Sequence, residues 1–107
     1  MPDMEKIKND VLEALKKVID PETGADVVRM RLVLDLTIHP NGTVEYTFRP
    51  SSPLCPIALP LVISIIEAVK EVDGVMDQIV RVVDYAGAEE LNQILRSFPL
   101  AKQILDD

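Results

Sequence analysis

Two short segments of alternating apolar and polar residues, joined by a turn, most strongly constrain the fold of this 107-residue chain. The apolar residues of the two segments are Met30, Leu32, Leu34, Leu36 and Ile38, and then Val44, Tyr46 and Phe48. A period of two predicts β-strands, and Asn41-Gly42 between them is a strong hairpin signal. We therefore expect an antiparallel hairpin with one apolar face turned inward.

Helical spacing of apolar residues predicts three helices around this hairpin. The first extends over residues 3–19 with Asp3 as its N-cap, and Asp20-Pro21 ends it because the residue before a proline is disfavoured in helical conformation. The second packs through Leu59, Val62, Ile63, Ile66 and Val69. The third extends over residues 87–98.

The sequence does not identify the first residue of the second helix. Pro56 suits a first helical position, whereas Pro60 would then lie one turn inside the helix, where a backbone donor is missing. An irregular first turn, or a start nearer Pro60, would resolve the conflict.

The order of elements predicts the fold class. Residues 75–84 are rich in β-branched residues and supply a third strand, so the order is helix, strand, strand, helix, strand, helix. We expect an α/β (α+β) two-layer sandwich in which a helical crossover adds the third strand to the hairpin, giving a three-stranded mixed sheet. The length predicts one domain over residues 1–107.

Composition excludes several classes of function. Eighteen acidic and eleven basic residues give a net charge of −7, which opposes nonspecific binding to nucleic acid. One Cys and one His cannot form an intramolecular disulfide or a four-ligand Cys/His metal site. Residues 1–10 lack the pattern of a secretory signal, and the longest apolar stretch, residues 56–66, is too short to span a bilayer. We expect a cytoplasmic protein with no membrane partner.

Cys55 is the strongest candidate for chemistry. It lies in Ser51-Ser52-Pro53-Leu54-Cys55-Pro56, just before the second helix, where unpaired N–H groups and the helix dipole favour a thiolate. Burial as a small hydrophobic side chain is an equally good hypothesis for a free Cys. Ser51 and Ser52 would cap the helix, accept a hydrogen bond from the thiol or orient a ligand. We expect His39, beside Pro40 in the turn, to be a surface residue.

Asp20 and Glu22 flank Pro21 in an acidic loop. Paired carboxylates bind hard cations or act as acid and base. More often, such residues close a turn through hydrogen bonds to backbone N–H groups, and this is the hypothesis that the loop alone favours.

Taken together, these segments resemble the MIP18 family domain, also called DUF59. The resemblance is carried by Val18-Ile19-Asp20-Pro21-Glu22-Thr23-Gly24, Leu32-Val33-Leu34-Asp35-Leu36, Ser51-Ser52-Pro53-Leu54-Cys55-Pro56 and Asp73-Gly74-Val75. It covers residues 5–84 and leaves 85–107 as a C-terminal helical extension. The resemblance implies a compact α/β domain that assembles or delivers iron–sulfur clusters, with a reactive Cys close to the acidic loop.

When the site of the family is carried over by position, the resemblance implies Asp20, Glu22, Ser51, Ser52 and Cys55 as the site residues of this chain. Family members usually have an acidic residue and a glycine where this chain has Arg29 and Arg31, and a glycine where it has Leu54. Whether these substitutions change the site stays open at the level of sequence.

The leading functional hypothesis is a non-enzymatic assembly factor that uses Cys55 on client or assembly proteins. One thiol cannot hold a cluster alone, so stable binding would need a second subunit, as in a homodimer, a partner protein or a small thiol. We therefore expect no tightly bound cofactor, and at most transient iron or an iron–sulfur cluster that Cys55 shares with a partner.

Two other hypotheses compete with it. The first is an accessory subunit of a multicomponent aromatic-ring hydroxylating oxygenase, as in the PaaD-like branch of the family. The second, and the weakest, is an autonomous thiol enzyme.

Overall fold

In the computed structural model, which describes residues 4–97, three helices pack around a three-stranded sheet. The elements in chain order are α1 (Met4–Leu15), β1 (Val33–Ile38), β2 (Thr43–Phe48), α2 (Ala58–Lys70), β3 (Asp77–Val82) and α3 (Ala88–Ser97). The predicted α+β class and order of elements are confirmed, although β3 is shorter than residues 75–84. Asp3 and Phe98, the predicted limits of the first and third helices, lie outside the described residues.

The sheet has the mixed topology that the sequence predicts. Its strand order is β1-β2-β3, with β1 antiparallel to β2 and β2 parallel to β3, so α2 forms the crossover. The hairpin turn requires glycine at position 42, where φ is 89°. A Cβ atom there would lie 2.7 Å from Cγ of Met76 and 2.9 Å from the carbonyl oxygen of Gly74. The Asn41-Gly42 turn is therefore packed directly against the start of β3.

A β-bulge changes which side chains of β1 face the core. Leu34 pairs with Thr47 but Thr37 pairs with Glu45, so two residues of β1 oppose one of β2. Such a one-residue shift moves the residues before it to the opposite face. The prediction that Leu34 points inward is wrong for this reason, and Val33, which pairs with Phe48, packs on the core instead. Met30 and Leu32 precede β1 in a turn.

The first helix ends earlier than predicted. After Leu15 the chain forms a tighter turn, in which the Val18 N–H donates to the Leu15 carbonyl three residues back. Val18 is buried, and its carbonyl accepts the Val27 N–H at 3.0 Å, while Ile19 pairs with Asp26 in an isolated bridge. Residues 18–27 thus form a small hairpin-like loop rather than a last turn of helix.

The second helix begins at Ala58, which resolves the conflict between its two prolines. Pro60 is the third helical residue, where the backbone N–H has no partner within a helix. The buried residues follow the helical period as Ala58, Leu61, Val62, Ile65, Ile66 and Val69. Leu59 was predicted to pack inward but is 39% exposed. With the helix starting at Ala58, this residue lies outside the stripe of buried positions. Within residues 4–97 no helix is long and apolar enough to cross a membrane.

A buried hydrogen-bond network joins the sheet to α2. The Tyr46 hydroxyl donates to Oε1 of Gln78 at 2.7 Å, and Nε2 of Gln78 donates to the carbonyl of Ile66 at 3.1 Å. Burial raises the pKa of the Tyr46 hydroxyl, so the group stays a neutral donor at ordinary pH. The network connects neighbouring strands β2 and β3 to the crossover helix between them.

Arg31 has a strained backbone, with φ at 58° in the left-handed region. A residue with a Cβ atom loses about 1–2 kcal/mol there, and glycine does not. We expect Arg31→Gly to raise the free energy of unfolding by about 1 kcal/mol in urea denaturation. Arg31→Ala is the matched control, since it removes the guanidinium and keeps the Cβ atom. An equal gain in both variants would contradict the explanation by backbone strain.

Candidate functional site

Cys55 is buried at the inner end of an exposed loop. Its side chain is 3% exposed and belongs to the hydrophobic core, whereas residues 51–54 lie at the surface. Two backbone hydrogen bonds connect residues 51–56 to other segments: the Ala86 N–H donates to the Pro53 carbonyl at 2.8 Å, and the Ala58 N–H donates to the Cys55 carbonyl at 3.4 Å. Reaction of the thiol with a partner therefore requires this segment to move outward, and few backbone hydrogen bonds oppose that movement.

The prediction that a serine caps α2 is wrong. The N-cap is Ile57, and no side chain bonds to the free N–H groups of the helix. Oγ of Ser52 instead accepts the Leu54 N–H at 3.2 Å, which closes a turn within the loop. Ser51 is exposed and lines a small polar hollow with Arg31 and Arg49.

The position of Cys55 relative to α2 also differs from the expectation. It precedes the N-cap Ile57 by two residues, and its carbonyl accepts the Ala58 N–H at 3.4 Å. The helix dipole acts strongly only within the terminal turn, and Cys55 lies before that turn.

Asp20 closes the acidic loop and is itself buried. Its side chain is 1% exposed, and Oδ1 accepts the Glu22 N–H at 2.8 Å, while its carbonyl accepts the Gly24 N–H at 2.8 Å. Such hydrogen bonds are those of a turn-closing residue. The second carboxylate oxygen, Oδ2, is buried without a hydrogen-bond partner in the described chain. Glu22, by contrast, is exposed.

The acidic loop adjoins the helix that follows the Cys loop. A hollow of about 260 Å³ separates them. It is lined by Ile19 and Pro21 from the acidic loop and by Ile57, Pro60, Leu61 and Ser64 from the start of α2. Neither Asp20 nor Cys55 lines this hollow, although Asp20 lies between Ile19 and Pro21 and Cys55 lies two residues before Ile57.

His39 does not belong to this region. It follows β1 at the hairpin turn, and Nε2 lies 2.8 Å from Oε1 of Glu45. The Cys loop follows the far end of β2, about 16 Å away for a six-residue strand. Within the described part of the chain, no group of three or more His, Cys, Asp or Glu side chains is arranged to hold a metal ion.

Leu54 is the most exposed large apolar side chain of the described residues, at 78%. The sequence marked Leu54 as a departure from the glycine usual in the family, and did not predict its exposure. Among the described residues other than glycine, positive φ values occur at Arg31, Asp35 and Asp84, so Leu54 has an ordinary conformation. The loop therefore has no need of glycine at this position. The one available signal was a large apolar residue between prolines in a polar loop.

An α-β-β-α-β-α sandwich with a thiol loop before the crossover helix, and an acidic loop beside it, defines the class of DUF59-type domains. The chain belongs to the iron–sulfur cluster assembly protein family, which matches it over residues 8–82. The predicted family is thereby confirmed.

Individual relatives agree with this assignment. The chain is 34% identical to the uncharacterized protein MJ1129 of Methanocaldococcus jannaschii, over 83% of this chain and 94% of that protein. It is 33% identical to the Fe-S protein maturation auxiliary factor YitW of Bacillus subtilis, over 74% and 78% of the two chains. A crystal structure of a DUF59 domain from Bacillus anthracis superposes with a TM-score of 0.69 at 33% identity, covering 75% of this chain and 76% of that one.

Proposed function

We propose that this protein assembles or delivers iron–sulfur clusters for client proteins, with Cys55 as the group that contacts the cluster or client. The cluster is cargo in this scheme rather than a resident cofactor. In this scheme Asp20 supports the thiol, and Glu22, Ser51 and Ser52 are the supporting residues of the two loops. The name of YitW, a maturation auxiliary factor for Fe-S proteins, supports the general role.

The buried, unpartnered Oδ2 of Asp20 carries this proposal. A buried oxygen acceptor without a partner costs about 1–3 kcal/mol, and more when charged. Native proteins rarely keep such an atom without a compensating use. A cation or a proton donor that enters when the Cys loop moves outward would satisfy the oxygen, and in this proposal iron carried by Cys55 is that cation.

The single thiol also limits how this protein could hold a cluster. Clusters are commonly bound by four protein ligands, and this chain has one Cys. Cys55 would therefore act together with ligands from a partner, a second subunit or a small thiol. This favours transient carriage over storage. No observation here favours the alternative of an oxygenase accessory subunit.

The test is restoration of iron–sulfur enzyme activity in Bacillus subtilis cells that lack YitW. We expect the protein to restore activity and Cys55→Ala to restore at least about tenfold less. Thr37→Ala, on the exposed outer face of β1, is the control and should act as the unmodified protein. Equal abundance of the variants is checked by immunoblotting. Full restoration by Cys55→Ala would overturn the role of the thiol.

Client contact should depend on Leu54. Its side chain is 78% exposed and lies outside the core, so Leu54→Asp should change the free energy of unfolding by less than about 0.5 kcal/mol. The same substitution should lower restoration in that assay about fivefold or more, because a charge would have to be desolvated against the client. Leu54→Met keeps the apolar contact and should retain activity. If Leu54→Asp is fully active, this side chain does not contact the client.

A further inference from the structure

The outer edge of β3 carries backbone groups that point away from the sheet. The Val83 N–H donates to the Phe48 carbonyl of β2 at 3.1 Å. Backbone groups alternate along a strand, so residues 79 and 81 also face β2, while residues 78, 80 and 82 face outward. Within residues 4–97, β3 is the last strand on this side of the sheet.

Asn92 of α3 forms hydrogen bonds with one of these outward-facing residues, in the way that a neighbouring strand would. Its Oδ1 accepts the Val82 N–H at 2.9 Å, and its Nδ2 donates to the Val82 carbonyl at 3.1 Å. The next outward residue is Val80, and among the described residues no backbone hydrogen bond outside the β-ladders involves its N–H or carbonyl. Val80 therefore leaves one position of the edge open for pairing.

A groove of about 490 Å³ lies directly along this open position. One wall is formed by β3 over residues 78–82, and the other by Asn92, Leu95 and Arg96 of α3. Arg81 and Arg96 are both exposed, and neither forms an ion pair with any of residues 4–97. In a chain with net charge −7, two unpaired guanidinium groups along one groove create a local preference for an acidic ligand.

We propose that the outer edge of β3 binds an extended acidic peptide segment of a partner protein as a fourth strand. The Val80 N–H and carbonyl pair with the backbone of the segment, as in β-strand addition. Side chains of an added strand alternate between the two faces, so acidic residues meet Arg81 on the open face and Arg96 on the side of α3. This surface is separate from Cys55, and the proposal does not depend on the function proposed above.

The test is an NMR titration of the ¹⁵N-labelled full chain with the peptide Ac-Val-Glu-Glu-Glu-Glu-Val-NH₂, which places glutamates on both faces of the added strand. We expect amide shifts concentrated in residues 78–82 and 92–96, and exchange of the Val80 amide with solvent slowed about tenfold or more at saturation. The same peptide with Lys in place of Glu should bind about tenfold more weakly or worse. The Glu peptide with every backbone amide N-methylated should lose affinity equally, because it cannot pair as a strand.

Two double variants separate the groove from the overall charge. Arg81→Gln with Arg96→Gln should weaken binding of the Glu peptide about tenfold or more. Lys17→Gln with Arg29→Gln makes the same change in net charge elsewhere and should keep the affinity within about twofold.

Four results would overturn the proposal. They are no binding, amide shifts centred away from the groove, binding of the N-methylated peptide as tight as that of its parent, and a free chain that sediments as a dimer with the Val80 amide already protected. The last would identify a second copy of the chain as the occupant. None of these results would affect the Cys55 test.

Discussion

Gln78→Leu is expected to lower the free energy of unfolding by about 2–3 kcal/mol, a large share of the stability of a domain this size. Leu has nearly the volume of Gln, so the loss comes from hydrogen bonds rather than from a cavity. The Tyr46 hydroxyl would remain buried without an acceptor, and the carbonyl of Ile66 would lose its bond to Nε2. Urea denaturation followed by circular dichroism measures the change.

A double-mutant cycle identifies the cause of this loss. Tyr46→Phe alone should cost about 1 kcal/mol, since it leaves Oε1 of Gln78 without its donor. In the Gln78→Leu background the same change should cost nothing or restore stability, because it removes the unpaired hydroxyl. Gln93→Leu, at an exposed position of α3, is the matched control and should shift stability by less than about 0.5 kcal/mol. Additive losses at Tyr46 and Gln78 would show that the two side chains do not act as one network.

The sequence predicted those parts of the fold that depend on local periodicity. Both hairpin strands and the buried positions Val62, Ile66 and Val69 of α2 follow from apolar spacing, and the turn follows from Asn41-Gly42. The side of the sheet to which Leu34 points could not be predicted, because a bulge is defined by pairing between two strands and not by either one alone. Asp35, with φ at 54° inside that bulge, has no distinguishing feature in the sequence.

The candidate site was located by sequence more readily than it was characterised. Cys55 was selected from its place before α2, and the resemblance to the family added Asp20. Their burial depends on how α1, α2 and the loops pack, which no local pattern reports. The start of α2 shows the same limit, since Pro60 was recognised as a conflict and its resolution required the position of Ile57 as N-cap.

Asn92→Asp should cost about 2–4 kcal/mol of stability at neutral pH, although the two side chains have almost the same shape. The change keeps one oxygen to accept the Val82 N–H. It replaces the donor Nδ2, 3.1 Å from the Val82 carbonyl, with a second oxygen, so that an attractive contact becomes repulsive. Asn92→Ala, which removes both bonds without adding a repulsion, should cost less.

The loss should diminish as the pH is lowered. We expect the pKa of the introduced carboxyl to be raised in the folded state, because its charged form would face the Val82 carbonyl oxygen in a partly buried position. The folded protein then binds more protons than the unfolded chain, so stability relative to Asn92 falls as the pH rises through about 4 and above. Urea denaturation of both proteins at each pH gives this difference, with Gln93→Glu as the control for an added charge on the same helix. A loss that is the same at every pH, or equal to that of Asn92→Ala, would mean that the carbonyl of Val82 is not the group the new oxygen opposes.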